Sequence, residues 1–215
     1  MNLAINKKKY YIPKNWNEVS LERYIDFMAT HNKEASSAEQ EIHLLTTMTG
    51  APYEYVAEMK RSDLSKALDR LTALMQDETD ETLVLTFEIG ETEYGFHPNL
   101  SDMKLKEFVD LDNKLSDPWQ NMAFIMAILY RPIIKHTGNK YKIEEYNYVT
   151  ANKRAEIFKK DLSVSLVNAA ASFFLTIAAD YMKIMQAYSK LNRKQKRKAS
   201  RLMKSSFKRN TDGTA

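Results

Sequence analysis

The sequence predicts a mainly α, α+β fold: two pseudo-symmetric repeats, each a β-hairpin followed by three helices, with a long C-terminal helix running on from the second. Three observations carry this reading. The stretch Ile12–Asp26 (IPKNWNEVSLERYID), shifted by 84 residues, lies over Phe96–Asp110 (FHPNLSDMKLKEFVD), with Asn15, Leu21 and Asp26 matching Asn99, Leu105 and Asp110. Apolar positions meet apolar ones: Trp16 and Leu100, Val19 and Met103, Tyr24 and Phe108, Ile25 and Val109. A hairpin pattern precedes both copies, and a heptad-like seam follows the second.

The elements follow in order. Leu3–Ile5 and Tyr10–Ile12 are β-prone runs around a polar Asn6–Lys9, as in a hairpin. Leu83–Ile89 alternates at Leu85, Phe87 and Ile89, and Gly90-Glu91-Thr92 supplies the turn into Glu93–Phe96. The same shift of 84 sets Leu3 on Phe87, Ile5 on Ile89, Tyr10 on Tyr94 and Ile12 on Phe96. Ser20 caps a helix whose Leu21, Tyr24, Ile25 and Met28 form one apolar stripe. Leu105, Phe108 and Val109 repeat that stripe, and Asp112 replaces its fourth member. Trp16 and Leu100, just before these helices, are placed to pack back on the first turn.

A second helix pair, Ala38–Pro52 and Asp117–Pro132, aligns with a shift of 80, and each proline reads as a stop signal. NMAFIMAILY is apolar nearly all round, which predicts a buried central helix. A third pair centres on Asp63-Leu64-Ser65 and Asp161-Leu162-Ser163, now with a shift of 98, so the second copy carries an 18-residue insertion. Tyr141, Tyr146 and Tyr148 lie there among charges, which suits a lid, an arm or a contact loop. The expected organisation is residues 1–81 for the first repeat, 82–178 for the second with an insertion around 136–152, and 179–215 for a basic extension and tail, with the two hairpins joining in one small sheet. Val167, Ala171, Phe174, Ala178, Tyr181, Met185 and Tyr188 are spaced alternately by four and three, a seam for a facing helix. Tyr181, Met185 and Tyr188 lie beyond the duplicated region, so with the three insertion tyrosines they are the candidate partner-binding residues.

Composition narrows the function. The 215 residues are 44% apolar and 28% charged, enough for a core. The absence of cysteine excludes disulfides and thiolate metal sites and suits a reducing compartment. MNLAINKKKYY lacks the apolar stretch of a signal peptide, and Met122–Tyr130 is far short of the roughly 20 residues of a membrane span. A soluble, intracellular protein without membrane contact is the expectation. The four histidines (His31, His43, His97, His136) share no zinc-site spacing, and no phosphate loop or nucleophile elbow occurs. The carboxylate pairs Glu39/Glu41, Asp77/Glu78 and Glu144/Glu145 sit in polar surroundings, away from the apolar pocket that raises a catalytic carboxyl. A non-enzymatic protein with no cofactor and no metal is expected.

Charge is distributed unevenly. The net +4 contains a stretch, Lys190–Arg209, with ten Lys or Arg and no acid; the remainder holds 22 basic and 28 acidic residues, near −6. Arg193, Lys194, Lys196, Arg197, Lys198, Arg201 and Lys204 suit phosphates through counterion release, or an acidic protein groove. The interleaved aromatics of a single-strand binder are missing.

The motif IPKNWNEVSLERYIDFM, followed by a helix ending in Thr49-Gly50-Ala51-Pro52, resembles the small morphogenesis proteins of tailed bacteriophages, the tail-assembly-chaperone-like group that includes crAss-like phage virion proteins. Arg131-Pro132-Ile133, Tyr141-Lys142-Ile143 and Phe173-Phe174-Leu175 extend the likeness over about residues 10–178. The resemblance implies a structural or assembly protein acting through protein–protein contacts. It would be a head–tail or tail ring component, or a chaperone shielding the tape-measure protein, in the host cytoplasm during assembly or in the mature virion. Other phage structural or tail proteins and further copies of the chain are the implied partners; no catalytic residues carry over. The alternative is a nucleic-acid-binding accessory protein, packaged with the genome and using the basic tail.

Overall fold

The computed structural model describes residues 2–5, 8–31, 36–76 and 82–174. The fold is mixed α+β, in two compact units: Met1–Asp80 with Ile157–Asn168, and Glu81–Glu156 with Ala169–Ala215. The first unit recruits a segment from far down the chain.

In the first unit, β1 (Asn2–Ile5) and β2 (Lys8–Tyr11) pair antiparallel, Leu3 facing Tyr10. A single 3-10 turn, Trp16–Glu18, is capped by the Asn15 side chain, which accepts from the Asn17 N–H at 3.1 Å. α1 (Leu21–His31) follows, with Ser20 Oγ accepting from the Arg23 N–H at its start. α2 (Ser37–Thr49) opens with a reciprocal capping box between Ser36 and Glu39. It ends at Gly50, whose φ of 71° is the left-handed C-cap conformation that glycine adopts without strain. Pro52 is therefore not the stop; it caps the short α3 (Tyr53–Ala57), which leads to α4 (Arg61–Gln76). Ile12, Val19, Leu45, Met48, Leu64, Leu71 and Val164 meet in one core.

In the second unit, β3 (Thr86–Ile89), β4 (Thr92–Phe96), β5 (Tyr130–Thr137) and β6 (Lys140–Ile143) form a four-stranded antiparallel meander. Phe87 faces Tyr94 across β3–β4, the pairing that Leu3 and Tyr10 make 84 residues earlier. A 3-10 turn at Leu100–Asp102 leads to α5 (Leu105–Lys114) and α6 (Met122–Leu129); α7 (Tyr148–Asp161) and a further helix, α8, over residues 164–174 are shared between the units, residues 157–168 belonging to the first. All eight residues of α6 are buried, so its all-round apolarity reads directly as centrality. Phe87, Phe96 and Tyr130 pack with ring centroids 5.0 and 5.1 Å apart, and the Tyr130 hydroxyl donates to Val84 O at 2.7 Å.

Several expectations are corrected here. The hairpins do not share a sheet: β1–β2 stands as a two-stranded ribbon, and β3–β4 is extended instead by β5–β6. Pro132 lies inside β5, and α6 ends at Leu129 because Tyr130 already pairs with Phe96. The expected insertion around 136–152 holds the hairpin turn at Gly138, then β6, which completes the sheet, and the first residues of α7. Asp63-Leu64-Ser65 lies within α4, whereas Leu162-Ser163 is the break between α7 and α8, so the two are not equivalent. The pairing of β4 with β5 joins residues distant in sequence, which a comparison of spacings does not see.

Candidate functional site

The second unit's most unusual element is α5. Its inward face carries Glu107 and Leu111, both buried, and its outward face carries Leu105, Phe108 and Val109, exposed by 78%, 56% and 46%. At the equivalent position of α1, Leu21 is 0% exposed. Two helices with the same stripe thus bury opposite choices.

The cause is a charged cluster beneath α5. Arg131, at the start of β5, meets the Glu107 carboxylate with both terminal nitrogens, at 3.4 and 3.3 Å, and donates to Glu144 O at 3.1 Å. Both side chains are buried, so neither has water as an alternative partner. Burial lowers the hold of Arg131 on its proton, and the neighbouring Glu107 opposes that. His97 Nε2 lies 3.6 Å from Glu107 Oε2, while its Nδ1 accepts from the Asn99 N–H at 3.3 Å. That geometry puts the neutral ring's proton on Nε2, toward the carboxylate. Burial first, then the Arg131 charge, push the His97 pKa down, which keeps the ring neutral. Arg154 completes the cluster, donating to Ala127 O at 2.8 Å and to the Glu144 carboxylate. With Glu107 tied inward, residues 105, 108 and 109, on the opposite side of a 3.6-residue turn, face outward.

Below the end of α5 lies an apolar cavity of about 160 Å³, lined among others by Leu115, Trp119, Met122, Met126, Ala171 and Phe174. It is small for a substrate site and its lining offers no convergent polar groups. What this arrangement presents chemically is an apolar helix face held in place by a closed ionic cluster. Among the described residues no trio of His, Asp or Glu is placed to hold a metal ion, and no helix is long and apolar enough to cross a membrane.

The candidate tyrosines separate. Tyr141 folds over Gly95, donating to Phe96 O at 2.8 Å, and burial raises its pKa to about 12. A Cβ at Gly95 would lie 2.5 Å from the Tyr141 ring, which explains glycine in the middle of β4. Tyr146 is buried, its hydroxyl donating to Asp110 Oδ2 at 2.6 Å, so it anchors its loop to α5 from within. Tyr148 alone of the three is exposed, at 48%, with its ring beside Phe124. Tyr181, Met185 and Tyr188, and the basic Arg193, Lys194, Lys196, Arg197, Lys198, Arg201 and Lys204, lie outside the described residues. Sequence reasoning reads Leu105, Phe108 and Val109 as a repeat of the α1 stripe and so misses their outward face; the one local sign is Asp112 breaking the stripe. Compared with protein-family models, curated proteins and solved structures, the chain matches none.

Proposed function

We propose that this chain is a non-enzymatic assembly or structural protein of a tailed-phage particle, acting through protein–protein contacts as a head–tail or tail ring component or as a tail-assembly chaperone. The observation that carries the contact reading is the outward apolar face of α5, Leu105, Phe108 and Val109 together on one side of a short helix. Large apolar side chains grouped on a helix face favour a partner. The phage context rests on the sequence resemblance. The inward closure of the charged cluster and the apolar lining of the cavity favour binding over catalysis.

The same reading takes the two units as copies of one building block, with α8 continuing into a long C-terminal helix. The offset of 84 supports the copies: it relates all four residue pairs of β1–β2 to those of β3–β4, the two 3-10 turns, and the first residues of α1 and α5. Quantitative mass spectrometry of purified particles tests the function. A ring subunit is present in stoichiometric amounts, and a chaperone is absent yet required for particle formation. A protein neither incorporated nor required is not of this class. The second reading, a nucleic-acid-binding accessory protein, is favoured by the acid-free stretch Lys190–Arg209 with its ten Lys or Arg. It predicts binding that weakens steeply with salt and disappears on truncation after Ser189.

A further inference from the structure

The backbone entering α1 is clamped by an extended stretch from later in the chain. The Leu21 N–H donates to Leu162 O at 2.8 Å, the Val164 N–H donates to Val19 O at 2.9 Å, and Ser20 bridges antiparallel to Ser163. The backbone entering α5 has the same local shape. Val19 N–H to Trp16 O at 3.4 Å is matched by Met103 N–H to Leu100 O at 3.3 Å, and Tyr24 N–H to Ser20 O at 3.2 Å by Phe108 N–H to Lys104 O at 3.1 Å. Yet among the described residues neither the Met103 carbonyl nor the Leu105 N–H has a backbone partner, and Leu105 stands exposed.

We propose that Met103–Leu105, flanked by Phe108 and Val109, is an acceptor for an extended segment of a partner protein. The segment adds antiparallel as an apolar–x–apolar triplet preceded three residues earlier by an acid. The triplet is the chemistry that the first unit already accepts in Leu162-Ser163-Val164: main-chain hydrogen bonds supply attachment and alternate side chains supply specificity. The acid follows from charge. Lys159, three residues before Leu162, has its Nζ 3.7 Å from Glu22 Oε1. The residue equivalent to Glu22 is Lys106, at the surface with its Nζ 5.8 Å from the Tyr146 ring centroid, and the nearby Glu145 carboxylate is already taken by Lys104 Nζ at 2.8 Å. The clamp of a second copy would bring Lys159 against Lys106, so a partner with the opposite charge is the better occupant. This inference rests on the reading of the chain as a contact protein and names the chemistry of one contact.

The experiment measures binding of two labelled peptides of residues 157–168, one native and one carrying Lys159→Glu, to the full-length protein. The expected result is about threefold tighter binding of the Lys159→Glu peptide, the size of an exposed ion pair. Leu105→Asp weakens both peptides at least about tenfold without moving the unfolding midpoint, and Lys106→Glu reverses the peptide preference. No binding of either peptide, or binding indifferent to Leu105→Asp, overturns the proposal. Binding that appears only after removal of residues 175–215 assigns the face to the chain's own C-terminal segment. Concentration-dependent dimerisation lost in Leu105→Asp assigns it to a second copy. Either result overturns the proposal as well. Failure here leaves the particle test untouched, so the two readings fall separately.

Discussion

Glu107 shows how one side chain decides what a helix presents. Its counterpart 84 residues earlier is Arg23, half-buried and donating to Met48 O near the C-terminus of α2, a favourable place for a cation. Glu107 instead faces a buried guanidinium. Removing it leaves the Arg131 charge without its main partner, so Glu107→Ala is expected to cost about 3–5 kcal/mol in urea unfolding. Replacing both partners, Glu107→Leu with Arg131→Met, should recover most of that loss, because no buried charge is stranded. His97 adds a pH dependence whose sign is fixed by its depressed pKa. The unfolded chain binds a proton below its ordinary pKa of 6.5 and the folded chain does not. The stability His97 contributes is therefore complete above that value and is lost as pH falls toward the folded pKa, at up to about 1.4 kcal/mol per pH unit. His97→Gln should flatten the stability profile between pH 7 and 5, measured by unfolding midpoint. At Gly95, an added methyl meets the Tyr141 ring, and Gly95→Ala is expected to cost about 1–3 kcal/mol.

At the scale of the element, α1 and α5 make the sharpest comparison, because matched residues differ in surroundings. Leu21→Ala removes a fully buried side chain and is expected to cost about 2–5 kcal/mol, whereas Leu105→Ala should change stability by no more than about 0.5 kcal/mol. Equal losses at the two positions would mean that α5 is covered as α1 is. The comparison also shows what was legible beforehand. Alternation at Phe87 and Ile89, the shared start of α1 and α5, and the central burial of α6 all follow from local period and composition. The rotation of α5 does not, because it is set by Arg131, 24 residues away in sequence and on a strand. β5 was likewise hidden, since Pro132 reads as a breaker and its neighbours on β4 lie far upstream. Tyr141 and Tyr146 stand among charges in the sequence, as contact residues do, yet turn inward because their hydroxyls find Phe96 O and Asp110.

At the scale of the whole molecule, two units with matching openings end differently. The first closes on Leu162–Val164, while the second leaves Leu105, Phe108 and Val109 facing outward. On the proposed function, the closed opening of the first unit stabilises the chain and the open one of the second is the face offered to a partner. The most direct test is the yield of infectious particles when the chain carries Leu105→Ser with Phe108→Ser. The double variant is expected to keep its unfolding midpoint while particle yield falls at least about tenfold. A folded double variant that supports full yield would contradict the contact reading.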